Sequence, residues 1–249
     1  MSFLVFIYAL LIGSFLNVCV YRIPAGESIV FPGSRCGSCH TKLRPRDLIP
    51  MLSWLSTKGT CRYCGEKVSI QYPAVELLTA ILTVAVYQVI GLDVSFLWAC
   101  FLLWTGIVIS IIDLKHQLIP NRLSLITGLG GVVFYIVLMF QTQTLTLSPL
   151  LGAAIGGGFL LILALLSSMG GGDIKYMTGA GLFLGPSMTI LALYVAFILG
   201  GLVSMILLIT KKFKKGTHIP FGPFLVIGVV TAFVLGPQIL ATYLNWVQF

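Results

Sequence analysis

Seven acidic residues serve a chain of 249, and two of them sit where an acid is costly. Asp113 closes an apolar run, 94–112, in Ile111-Ile112-Asp113-Leu114-Lys115-His116. Asp173 follows Gly170-Gly171-Gly172, just beyond the apolar run Leu150 to Leu166. A carboxylate at the margin of a hydrocarbon segment reads as functional by default. The plain alternative is a solvated helix-end acid, partnered for Asp113 by Lys115 or Arg122. Two carboxylates brought within about 3 Å in a poorly hydrated site cannot both ionise, and share one proton. The ionised member takes a proton from water, and the other donates to a peptide carbonyl. Those protons belong to the pair, so neither residue is assigned as fixed acid or base. No serine, histidine or cysteine constellation competes, since His116 and His218 merely flank helix ends. The glycines ahead of Asp173 permit the close approach of a second, extended backbone.

A second group of residues suits a metal. Cys36-Gly37-Ser38-Cys39 and Cys61-Arg62-Tyr63-Cys64 are two Cys-x2-Cys pairs separated by 21 residues. Four thiolates at this spacing make a closed tetrahedral zinc site, with no open position for catalytic water. Two disulfides are the competing reading, and a reducing compartment argues against them. Cys19 and Cys100 lie in apolar runs and read as packing residues.

The elements that must position these groups are membrane helices. The chain is 58% hydrophobic and 9% charged, well below the roughly 25% charged residues of soluble domains. The formal charge of +8 need not mean nucleic acid, and none is expected as a partner. Basic residues of membrane proteins collect in cytoplasmic loops. The first run, Phe3 to Val20, has its positive charge behind it at Arg22, the reverse of a cleaved signal peptide. Gly13, Ser14 and Asn17 within it suit a helix–helix contact. Residues 22–73 form a polar domain; 22–72 hold eight of the fifteen Lys and Arg, and prolines at 24, 32, 45 and 50. Further apolar runs follow at 74–91, 94–112, 122–140, 150–168, 176–185, 187–210 and 219–240, all within a membrane domain of residues 74–249. The run 176–185 is short of the roughly 20 residues that span a bilayer. Charge nevertheless supports counting it. With eight spans and an outer N-terminus, the inner stretches are 22–73, 113–121, 169–175 and 211–218. All fifteen Lys and Arg then fall in these stretches or at their margins, including Lys211 to Lys215. The expected fold is therefore all-α and polytopic, with about eight transmembrane helices. A small cytoplasmic zinc-binding domain stands between the first two, and both aspartates lie at the cytoplasmic face. The net charge of this domain makes anionic lipid a natural partner for its surface.

Gly170-Gly171-Gly172-Asp173, followed by Lys175, resembles the signature of the Gly-x-Gly-Asp intramembrane aspartyl proteases. Within them, the chain is similar to the prepilin leader peptidases with N-methyltransferase activity. Four other stretches carry the likeness. They are Gly13-Ser14-Phe15-Leu16-Asn17-Val18 with Tyr21-Arg22-Ile23-Pro24, the cysteine pairs, Tyr72-Pro73-Ala74-Val75-Glu76-Leu77-Leu78-Thr79, and Ile219-Pro220-Phe221-Gly222-Pro223-Phe224. The resemblance implies a bacterial cytoplasmic-membrane endopeptidase with Asp113 and Asp173 as its dyad. It would cleave the basic leader of type IV prepilins and pseudopilins after glycine at the cytoplasmic face. It would then methylate the new N-terminus from S-adenosylmethionine. Gly170, Gly172, Lys175 and Glu76 are its expected substrate-binding residues. Glu76 has two readings: an acid favourably placed at a helix N-terminus, or a contact for a basic leader or methyl donor. No glycine-rich dinucleotide-type motif marks a donor site, so methyl transfer rests on the resemblance. The rivals are a peptidase without methyl transfer, as in preflagellin processing, and a transporter that uses paired aspartates.

Overall fold

A computed structural model describes residues 1–166, 170–210 and 219–247. The basic run Lys211 to Lys215, which the charge count uses, and His218 lie outside the described residues. The helices are α1 (Ser2–Arg22), α2 (Leu52–Ser56), α3 (Gln71–Ile90), α4 (Val94–His116), α5 (Asn121–Thr142), α6 (Ser148–Leu166), α7 (Gly171–Ile209) and α8 (Gly222–Val247). Among the described residues there is no β-strand, only two isolated bridges. Seven of the helices, all but α2, are long and apolar enough to cross a membrane. The chain divides into two compact units, Met1–Phe96 and Leu97–Phe249.

In the first unit α1 packs along α3. The contact is close because Gly13 has no side chain: a Cβ there would lie 2.7 Å from the Glu76 Cα. Asn17 is 1% exposed in the same seam, and its Nδ2 donates to the carbonyls of Gly13 (3.3 Å) and Tyr72 (3.1 Å). The small and polar residues of α1 thus face protein, as expected of a membrane helix pair. Between α1 and α3 the chain forms a module of turns, a 3₁₀ turn (Pro45–Asp47) and α2.

In the second unit the backbone explains the short apolar run. Gly185 has φ 66° and ψ −179° and is followed by Pro186, so α7 is two arms, 171–184 and 186–209. The left-handed φ favours glycine. A Cβ at Gly156 of α6 would lie 2.9 Å from the Met177 carbonyl oxygen and 3.2 Å from Thr189 Cγ2. On one straight helix those two residues would stand about 18 Å apart, so the chain reverses at Gly185. The second arm runs back along α6, where the Phe159 and Phe197 rings meet edge to face at 5.8 Å. α8 then returns along the second arm, with Gly228 against Ala192 and Gly236 against Met188. Seven long helices, one of them in two arms, therefore give eight apolar segments. The first arm is only about 21 Å long. It is sheltered: Asp173, Tyr176, Met177, Gly179, Ala180, Gly181, Phe183 and Leu184 are all buried.

One expectation needs correcting. Gly171 to Lys175 are not a loop before a helix at 176; α7 already begins at Gly171, and Asp173 lies in its first turn. Glycine is a weak helix former, but packing requires it here. A Cβ at Gly172 would lie 2.8 Å from Ile119 Cβ.

Candidate active site

Asp113 stands in the last turn of α4. The turn behind it is closed by the Gln117 N–H, which donates to the Asp113 carbonyl at 2.8 Å. Asp173 stands in the first turn of α7, capped by the extended Gly170. Asp113 and Asp173 are 5% and 9% exposed, and each lies within electrostatic reach of the other. Residues 60 positions apart in sequence are thus gathered at one end of a helix bundle.

A third element completes the site. The Gly222 N–H, at the start of α8, donates to Asp113 Oδ2 at 2.8 Å. A Cβ at Gly222 would sit 2.7 Å from that same oxygen. This partner was visible in the sequence only as part of Ile219-Pro220-Phe221-Gly222-Pro223-Phe224, with no role that spacing could assign. Lys175 is exposed, and its Nζ donates to Asn121 Oδ1 at 2.8 Å. Gly170 borders Asp173: a Cβ there would lie 3.5 Å from Asp173 Oδ2. Glu76 belongs to the first unit, in α3, where it is 6% exposed and accepts the Met51 N–H at 2.7 Å.

The cysteine pairs form two hairpins of the same design. In one, Cys36 N–H donates to Thr41 O (3.0 Å) and His40 N–H to Cys36 O (3.1 Å). In the other, Cys61 N–H donates to Glu66 O (2.7 Å) and Gly65 N–H to Cys61 O (2.9 Å). The flanking bridges, Arg35 with Lys42 and Thr60 with Lys67, repeat the correspondence. His40 and Gly65 both take a positive φ at the matching position. All four cysteines are free thiols, with their sulfurs within 4.8 Å of one another. Cys36 and Cys64 sulfurs are 3.9 Å apart. A tetrahedral Zn–S₄ centre has sulfur–sulfur edges of about 3.8 Å, given its bond length of about 2.3 Å. The four thiols therefore fit such an ion with little movement. Asp47 braces the second hairpin: it accepts the Tyr63 hydroxyl at 2.7 Å, the Arg62 Nε at 3.0 Å and the Arg44 N–H at 3.0 Å. The Tyr63 hydroxyl foremost, then the Arg44 amide and Arg62, hold its carboxyl below the usual carboxylate range.

Known proteins show the same two parts. Residues 7–90 match the bacterial peptidase A24 N-terminal domain, and residues 100–205 match the type IV leader peptidase family. Over 251 residues, 97% of each chain, the sequence is 34% identical to a prepilin leader peptidase/N-methyltransferase of Bacillus subtilis. The chain belongs to the type IV leader peptidase family. A prepilin leader peptidase/N-methyltransferase of Aeromonas hydrophila is 31% identical over 278 residues, covering 97% of this chain and 93% of that one. One from Pseudomonas aeruginosa is 30% identical over 271 residues, covering 96% and 92%. No solved structure matches the chain. As a member of the type IV leader peptidase family with seven apolar helices, it is a multi-pass protein of a bacterial inner membrane.

Proposed function

We propose that the chain is a membrane aspartyl endopeptidase that removes the leader of prepilin-like precursors, and that it also N-methylates the new terminus. The relatives bear both activities in their names and align over nearly the whole chain. The observation that carries the peptidase half is the pair of buried carboxyls, Asp113 and Asp173, at one end of the bundle. One takes a proton from water, whose oxygen attacks the scissile carbonyl carbon. The other protonates the carbonyl oxygen. The C–N bond then breaks, and the departing nitrogen receives a proton from the pair. The Gly222 N–H holds the Asp113 carboxyl in orientation. Gly170 gives an extended substrate backbone room beside Asp173, Gly172 seats the first turn of α7 against Ile119, and Lys175 with Asn121 forms the rim. The active site faces the cytoplasm, the side on which the basic loops collect.

Cys36, Cys39, Cys61 and Cys64 hold a structural Zn²⁺. The module leaves its large apolar side chains partly or fully exposed, so the metal contributes much of its folding energy. S-adenosylmethionine supplies the methyl group. The experiment that tests the whole reading is incubation of purified protein with a prepilin. Release of the leader is expected. Protein that is folded and metal-loaded but leaves prepilin intact would remove the peptidase reading in favour of a carrier built on paired acids.

A further inference from the structure

A cavity of about 580 Å³ opens within the first unit. That lies in the range of small-molecule sites, roughly 300–1,000 Å³. Ser14, Asn17, Tyr21, Trp54, Tyr72 and Glu76 are among the residues that line it. The ends of α1 and α3 thus meet the cysteine module around a half-open cleft.

Its polar groups are unbalanced in a specific way. Asn17 commits its Nδ2 to two backbone carbonyls. That choice fixes the amide orientation, because the reversed amide would set oxygen against oxygen. Asn17 Oδ1 is left buried with no hydrogen-bond partner among the described residues. A buried acceptor without a donor costs about 1–3 kcal/mol, so such an atom points to a ligand. Glu76 is the second acceptor. One carboxyl oxygen holds the Met51 N–H, and the Ser14 side chain bonds the group too. No basic side chain among the described residues pairs with it. A buried carboxyl with no cation is costly unless one arrives. Beside them the Tyr21 and Tyr72 rings stack at 5.4 Å and 15°, a wall suited to a cation or a flat ring.

Basic side chains also line the cavity, but Arg22 donates to the Ser28 and Gly33 carbonyls and Arg62 to Asp47, and neither they nor Arg35 or Lys67 forms an ion pair with Glu76. Two acceptors that no cavity cation neutralises, beside an aromatic wall, suit a ligand that brings N–H donors and positive charge together. We propose that this cavity binds an α-ammonium group, held by Asn17 Oδ1 and the Glu76 carboxyl. The proposal rests on the methyl-transfer half of the function above. That reading offers two sources of an α-ammonium: the amino-acid end of the methyl donor, and the free N-terminus of the cleaved chain.

Calorimetry on the full-length protein separates them. One arm titrates S-adenosylhomocysteine and its desamino analogue. The other titrates a phenylalanine-first peptide with a free and with an acetylated terminus. In whichever arm carries the site, removing the ligand's amine is expected to weaken binding about tenfold or more. Glu76→Gln is expected to abolish that difference, since glutamine still accepts the Met51 N–H but offers no charge. An amine effect in the first arm assigns the donor, and in the second the cleaved chain. If neither ligand amine matters, or if the amine effect survives Glu76→Gln, the proposal is overturned. The ligand-side comparison needs no variant, so a substitution that fails to fold does not shield the idea. Methyl incorporation from S-adenosylmethionine into the phenylalanine-first peptide by the unsubstituted preparation is scored alongside. Its absence would defeat the methyl-transfer reading and leave the binding result standing.

Discussion

Gly222 and Asp113 meet at a single oxygen. The glycine's N–H donates to Asp113 Oδ2 at 2.8 Å, and a methyl group on the same residue would stand 2.7 Å from that oxygen. Hydrogen bond and steric fit therefore make opposite demands that only glycine meets. Gly222→Ala is expected to displace the carboxyl and lower cleavage at least tenfold. Gly201→Ala, where a Cβ meets open space, should cut normally. Equal rates for the two variants in a prepilin cleavage assay would deny Gly222 this role.

The carboxyls themselves give a sharper test. Asp113→Asn and Asp173→Asn are each expected to reduce cleavage by roughly 10²–10⁴ or more, the worth of a positioned acid or base. Asp93→Asn should be near neutral, because Asp93 lies between α3 and α4 and bonds only the start of α4. Normal turnover by either dyad variant, measured on protein that inserts in the membrane, would end the aspartyl mechanism.

Metal removal should divide the activities. One Zn²⁺ per chain is expected by elemental analysis, and none in Cys36→Ser. Brief chelation of the assembled protein should leave cleavage intact, since the closed four-thiolate site has no position for water. Rapid, reversible loss of cleavage would indicate a catalytic metal instead. Methyl incorporation into a peptide that already begins with phenylalanine should fall strongly in Cys36→Ser, because the module lining the cavity loses its fold.

The reversal in α7 depends on backbones touching. A Cβ at Gly181 would strike the Gly152 carbonyl, and the partner glycine is equally crowded. Gly181→Val is expected to destabilise the second unit by at least about 1–3 kcal/mol, the usual cost of overpacking. A lower melting temperature and poorer yield of folded protein are the readouts. Gly158→Val, with no neighbour within 4 Å, is the control.

Eight passes put alternate connections on alternate sides. Thiol labelling of Lys175→Cys in intact cells should need a membrane-permeant reagent, while Thr144→Cys should react with an impermeant one. The same accessibility for both would break the eight-pass topology.

Much of this was legible in the chain itself. Apolar runs separated by charge fix where helices cross, because burying a charge in hydrocarbon is costly wherever the helices sit. Cys-x2-Cys spacing is a local geometric property, so the thiolate cluster followed from it. The placement of Asp113 and Asp173 at one end of the bundle followed from counting passes. Other features required the folded chain. Gly222 and Asp113 are 109 residues apart, and no periodicity links them. Asn17 read as a helix-contact residue, and Glu76 as either a helix-start acid or a contact for a basic leader or methyl donor, until α1 lay against α3. The 176–185 run was too short to judge by hydropathy. Its start at Gly171 and its reversal at Gly185 are set by what packs around it, where neighbouring helices override glycine's own preference. Local chemistry and transfer energies are written residue by residue. Which orphaned acceptor faces which cavity is decided by contacts between distant segments, and those exist only once the helices have packed.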